Sequence, residues 1–296
     1  MRAGMPGLNI RRRMKAILIG GVLAAAAALP APAAPAGATQ VDLKLIVATD
    51  VSRSINYEEG MLQREGTAEA FLDPEVVKAI QSGALGRIAV AMIDWSSPEY
   101  DRVVLDWTIV KDKASATALA DRIRRTPRTP GRRTSISGAL ERGALLLESS
   151  ENDIVATRKV IDVSGDGPNN DGNPLDEARQ KTVAQGIIIN GLPVMDENAN
   201  GYYPDLDKYY AGCVAGGRGS FVVVVKAFKD FGAAMRHKLI LEISQNESQI
   251  RHELAELDGN RLLKRAATGA APQPQVLRPS NGYPGGCEIG FGGGGF

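Results

Sequence analysis

Val41–Ser54 reads VDLKLIVATDVSRS. An apolar run, Val41–Thr49, stops abruptly at Asp50, and the alternate positions that follow are Asp50, Ser52 and Ser54. A strand that is apolar on both faces belongs in a sheet covered by helices on both sides. Residues two apart in extended chain point the same way. One carboxylate and two hydroxyls therefore converge just beyond the end of this strand.

Working outward, the same alternation of strand and helix continues. Arg87–Trp95 (RIAVAMIDW), Arg102–Ile109, Arg158–Ser164, Gly186–Val194 and Ser220–Val225 are further apolar runs of strand length. Between them, Tyr57–Leu72, Asp112–Ile123, Ser135–Glu148, Pro174–Gln185 and Phe228–Ile243 carry apolar residues at helical spacing. Ser135–Glu148 is the cleanest, with Ile136, Ala139, Leu140, Gly143, Ala144 and Leu147 on one stripe. The pattern predicts an α/β domain over 41–243 with a doubly wound, mostly parallel sheet. Residues 245–267 are charged and weakly amphipathic, and 268–296, ending GGCEIGFGGGGF, are rich in Gly and Pro. They read as a charged helix followed by a flexible tail or partner segment.

Composition narrows the class. Apolar residues at 44% and charged residues at 23% fit a chain with a real core and exclude a disordered or collagen-like one. Residues 1–38 hold Arg2, Arg11, Arg12, Arg13 and Lys15 and no acid, so the small positive net charge hides an acidic remainder. No basic face for nucleic acid is indicated. Arg11–Lys15 precede the 14-residue apolar run Ala16–Leu29, and small residues follow through Ala36-Gly37-Ala38. This is the layout of a secretory signal peptide over 1–38, with an uncleaved anchor as the alternative. The run is shorter than the roughly 18–20 residues that span a bilayer. Export to the periplasm or beyond, with no transmembrane segment in the processed chain, is expected. Cys213 and Cys287 are too few for a disulfide framework, and whether they pair is open at this stage.

In a doubly wound sheet, ligands bind outside the carboxyl ends of the strands. Three loops there carry oxygen ligands: Asp50-x-Ser52-x-Ser54, Thr134 before its helix, and Gly165-Asp166-Gly167 after the fourth parallel-type run. Two carboxylates with hydroxyls, and no Cys or His, suit a hard cation such as Mg²⁺ or Mn²⁺ rather than zinc or copper. Each piece has a plainer reading, since Ser54 and Thr134 could merely cap the helices that follow them.

Taken together, these motifs resemble the metal-ion-dependent adhesion site (MIDAS) of von Willebrand factor type A domains. GDGPNN, NGLPVM and the closing KLILEIS are similar to a bacterial exported family of such domains with no assigned function. The resemblance implies a Rossmann-like fold of six main strands with the metal on top, held by Asp50, Ser52, Ser54, Thr134 and Asp166. It also implies a protein or other anionic partner whose carboxylate completes the coordination, and a non-enzymatic binding role. One departure is visible: the usual threonine before the Asp-Gly is Gly165 here.

Three other readings compete. Gly165–Asp171 resembles the Mg²⁺ loop of haloacid dehalogenase-type phosphatases, but the general acid expected two positions after Asp50 is Ser52, which cannot serve. A metal-free structural A domain is the other class. Asp196-x-Asn198-x-Asn200-Gly201 with Asp207 matches a calcium loop, though a strand with Pro193 leads into it, so a polar turn is preferred over a weak second site for Ca²⁺. Asp94 and Asp162 read as supporting groups near the metal or, the preferred reading, as partners of basic residues or backbone amides, and His237 and His252 as solvated. The arginines at 124, 125, 128, 132 and 133 form an exposed loop that could draw an acidic partner.

Overall fold

Thr39–Asp50 forms β1, and from Val41 onward every residue of it is buried. The computed structural model describes Met1 and residues 37–197, 202–244, 274–280 and 282–288. In chain order β1 is followed by α1 (Tyr57–Leu72), α2 (Pro74–Gln81), β2 (Ile88–Trp95), β3 (Asp101–Val110), α3 (Lys113–Arg125), α4 (Ile136–Glu148) and β4 (Ile154–Gly165). Then come α5 (Leu175–Ala184), β5 (Ile188–Pro193), the short α6 (Leu206–Tyr209), β6 (Val222–Val224), α7 (Phe231–Ile243) and β7 (Gln275–Leu277). A π-helical turn, Tyr210–Val214, follows α6 directly.

The sheet runs β3-β2-β1-β4-β5-β6-β7. Strands β2, β1, β4, β5 and β6 are parallel, and β3 and β7 close the two edges antiparallel. The chain winds one way from β1 to β2 and the other way from β4 to β5, so the switch point lies between β1 and β4. That crevice is where open α/β sheets bind ligands. The register places Thr49 opposite Ser164, so Asp50 and Gly165 leave the sheet side by side.

Alternation along β1 divides the core. Leu43, Leu45 and Val47 pack under α1, α2, α3 and α7, while Ile46 and Ala48 pack under α4, α5 and α6. Helix starts carry their own signals. Asn56 and Glu59 form a reciprocal capping box on α1, Asp112 and Ser115 do so on α3, and Asp73 caps α2 with Pro74 in its first turn. Helices α1 and α7 touch at Gly66 and Gly232, where a Cβ on Gly66 would sit 2.8 Å from the Gly232 backbone.

Several elements differ from the sequence expectation. α2 and α6 were not anticipated, because each is short and its apolar stripe is too brief to register a period. Within the stretch assigned to a tail, residues 275–277 add the seventh strand by pairing with Val222–Val224. Cys213 and Cys287 are disulfide-bonded, which answers the question the sequence left open. His237 is buried rather than solvated, because its helix is covered on nearly all sides. Residues 2–36 of the expected signal peptide, His252 and the segment 245–267 expected to be a charged helix lie outside the described residues. Among the described residues no helix is long and apolar enough to cross a membrane.

Candidate metal centre

Four loop ends are tied together above the β1/β4 crevice. Gly131 N–H donates to the Val51 carbonyl at 2.7 Å, and Val51 N–H donates to the Trp95 carbonyl at 3.0 Å. Ser135 N–H reaches the Ser96 carbonyl at 2.6 Å, and Ser96 Oγ donates to the Arg133 carbonyl at 2.6 Å. Asn170 clamps Thr134 from both sides: its N–H donates to the Thr134 carbonyl at 2.8 Å, and its Oδ1 accepts from Thr134 N–H at 3.0 Å.

The sequence-predicted residues meet inside this frame. Ser52 N–H donates to Asp50 Oδ1 at 2.7 Å, Ser54 Oγ donates to Asp166 Oδ1 at 2.7 Å, and the Ser52 and Ser54 hydroxyls lie 3.1 Å apart. Thr134 is buried beside the Gly167 end of the same loop, its Oγ1 3.9 Å from where a Gly167 Cβ would be. The capping readings fail, because Asn56 caps α1 and Ser135 caps α4, leaving Ser54 and Thr134 with other work.

Two carboxylate oxygens at this point lack a hydrogen-bond partner, with Arg128 offsetting part of their charge. Asp50 is fully buried and Asp166 nearly so, yet Asp50 Oδ2 and Asp166 Oδ2 have no hydrogen-bond partner in the protein. Burial and then repulsion from Asp166 push the Asp50 carboxyl well above the usual carboxylate range. Burial, opposed by the Ser54 hydrogen bond, lifts Asp166 to about 6. Leaving a buried carboxylate oxygen unpaired costs on the order of 1–3 kcal/mol or more. A hard divalent cation removes both penalties at once, and the all-oxygen donor set fits one. Among the described residues no group of three or more His, Cys, Asp or Glu could hold a metal.

Neighbouring acids are otherwise engaged. Asp94 pairs with Arg64 at 2.7 Å, both buried, and Asp162 pairs with Lys238, as the sequence reading favoured. Asp171 Oδ1 accepts from the adjacent Gly172 N–H at 3.0 Å. The arginine loop is exposed only in part. Arg128 turns inward, donates to the Ile55 carbonyl at 2.8 Å and lies over Gly60, whereas Arg125, Arg132 and Arg133 face solvent. Of the calcium-like loop, Asn198, Asn200 and Gly201 fall outside the described residues. Asp196 accepts from Phe228 N–H at 3.2 Å and Asp207 from Lys208 N–H at 2.8 Å. A cavity of about 460 Å³ lined by Arg158, Asn190, Phe221 and Glu242 lies near the starts of the strands, away from this cluster.

Sequence reasoning missed Asn170 and Tyr210, and placed Arg128 in the exposed arginine loop rather than turned inward. Tyr210 is fully buried, and its hydroxyl, without a partner in the protein, shares with Asp50 Oδ2 the space over Gly165.

The fold is like that of von Willebrand factor type A domains. Proximal thread matrix protein 1 from the mussel byssus, with a zinc-occupied MIDAS motif, superposes at TM-score 0.52 with 17% identity over 70% of this chain and 49% of that one. A second crystal form of the same protein gives 0.50 at 17% identity, with the same coverage of each chain. A type A domain from Catenulispora acidiphila gives 0.49 at 14% identity over 69% of this chain and 43% of that one. The chain spans about half the length of the mussel protein. Residues 40–247 match the family described as "Protein of unknown function (DUF1194)", and the chain belongs to that family. None of the curated proteins compared with it matches.

Proposed function

We propose that this protein is an exported binding module that captures its partner through a divalent cation, Mg²⁺ or Mn²⁺. Asp50, Ser52, Ser54, Thr134 and Asp166 would hold the ion. The observation that carries this reading is the pair of buried, unpartnered oxygens, Asp50 Oδ2 and Asp166 Oδ2, beside two hydroxyls. The zinc-occupied MIDAS motif of the mussel protein supports it by example.

Each residue has a definable task. Ser52 N–H orients the Asp50 carboxylate, and the Ser54 hydroxyl orients Asp166. Asn170 holds Thr134 against the Asp166 loop. When bound, the cation supplies Lewis-acid coordination for a carboxylate of a protein or other anionic ligand. The exposed Arg125, Arg132 and Arg133 would raise the encounter rate of such a partner. Ser52 stands where haloacid dehalogenase-type phosphoryl transfer would need an acid, which favours a binding role over that reaction. The Cys213–Cys287 disulfide and the N-terminal signal pattern both suit an oxidising, exported setting.

Isothermal titration of the exported protein with Mg²⁺ and with Mn²⁺ tests the proposal. The wild type is expected to bind one ion and Asp50→Ala none. Equal titrations for the two proteins would refute it in favour of a metal-free structural domain.

A further inference from the structure

The turn Tyr210–Val214 crosses the carboxyl end of the sheet, and two glycines on adjacent strands make room for its first side chain. A Cβ on Gly191 in β5 would lie 2.8 Å from Tyr210 Cδ1. A Cβ on Gly165, at the end of β4, would lie 2.9 Å from the Tyr210 hydroxyl and 2.8 Å from Asp50 Oδ2. The slot thus admits a ring only because both positions lack a side chain, and it brings the hydroxyl to the Asp50 side of the cluster. That hydroxyl is buried and has no partner in the protein. A buried phenol of this kind nearly always finds a hydrogen-bond partner.

The turn is also held firmly. Cys213 is bonded to Cys287, Ser280 N–H donates to the Ala211 carbonyl at 2.9 Å, and Arg179 Nη1 donates to the Gly212 and Ala215 carbonyls at 2.9 and 3.2 Å. Three restraints on the five residues of the turn, and a fourth on Ala215 just after it, fix the backbone that carries Tyr210.

We propose that Tyr210 is a further residue of the ion site, donating its phenolic hydrogen to a water that accompanies the cation between Asp50 and Asp166. The proposal rests on the metal-site reading above. It explains Gly165: the space a threonine side chain would fill at that position is taken by a hydroxyl arriving from the opposite wall.

The test is Tyr210→Phe in the full exported chain, alongside wild type and Asp50→Asn, titrated calorimetrically with Mn²⁺. Loss of one hydrogen bond predicts about 3–10-fold weaker binding by Tyr210→Phe, with chelated melting temperature close to wild type. In the wild type, Mn²⁺ should also perturb the tyrosine near-ultraviolet absorption, and Tyr210→Phe should lack that difference band. If Tyr210→Phe binds as tightly as wild type while Asp50→Asn does not bind, Tyr210 is outside the site and the metal reading survives. If the wild type binds but shows no tyrosine difference band, the proposal fails without reference to any variant. If the wild type takes up no Mn²⁺, both readings fall together.

Discussion

Asp50 and Asp166 carry the argument at the scale of single residues, and their protonation sets its pH dependence. A divalent ion needs both carboxylates ionised. Asp166 holds its proton up to about 6 and Asp50 is raised well above the usual carboxylate range, by burial first in each case. Because both are raised rather than depressed, the ion-free protein gains stability from this site as pH falls, whereas ion affinity moves the other way. Between pH 7.5 and 5, Mn²⁺ affinity should drop by at least about tenfold, as measured by calorimetry at each pH. Flat affinity across that range would mean the carboxylates are not the ligands. The residues themselves were readable because Asp50, Ser52 and Ser54 follow a fully apolar strand at alternate positions. Tyr210 was not, since it reaches the crevice from a turn with no apolar period, and only the coordinates reveal the slot that Gly165 and Gly191 leave for it.

At the scale of elements, the position of α7 depends on two features. Its contact with α1 works through Gly66 and Gly232, so Gly66→Ala forces the helices apart and should cost about 1–3 kcal/mol in chemical denaturation. Lower on the same helix, Lys238 is buried against Asp162 and Glu242, and Asn190 Nδ2 donates to Glu242 Oε1 at 3.2 Å. Burial, reinforced by Glu242, pushes the Asp162 carboxyl well up. Lys238→Met strands two carboxylates in the core and should destabilise by about 3–5 kcal/mol, read by urea unfolding. A variant as stable as wild type would show that the lysine charge is not needed by its two acidic neighbours. The long helices and inner strands were legible because their apolar period is sustained over many residues, as in Ile136–Leu147. The ends were less so: β1 begins at Thr39 and β4 at Ile154, where alternation with exposed residues dilutes the apolar run.

For the whole molecule, the C-terminal segment is a structural part of the domain rather than an appendage. β7 extends the sheet, Tyr209 Oη donates to the Cys287 carbonyl at 2.9 Å, and Glu288 accepts from Leu175 N–H at 2.7 Å at the start of α5. The disulfide closes a loop with a sequence separation of 74 residues. Cys287→Ser should therefore lower stability by about 2–5 kcal/mol, measured by thermal melting, and should weaken Mn²⁺ binding by loosening the turn that carries Tyr210. Three residues of strand within a Gly- and Pro-rich stretch hold too little pattern to be recognised, and pairing of two lone cysteines depends on a spatial approach that spacing does not encode. The central sheet, by contrast, was legible as a whole, because its strands are apolar on both faces and separated by helices.

One measurement goes to the centre of the account: anomalous diffraction from crystals of the exported protein soaked in Mn²⁺. The account predicts a single strong peak at the β1/β4 crevice, with Asp50, Asp166 and the hydroxyls of Ser52 and Ser54 around it. A map without a peak there, from crystals whose lattice leaves that crevice open, would contradict it.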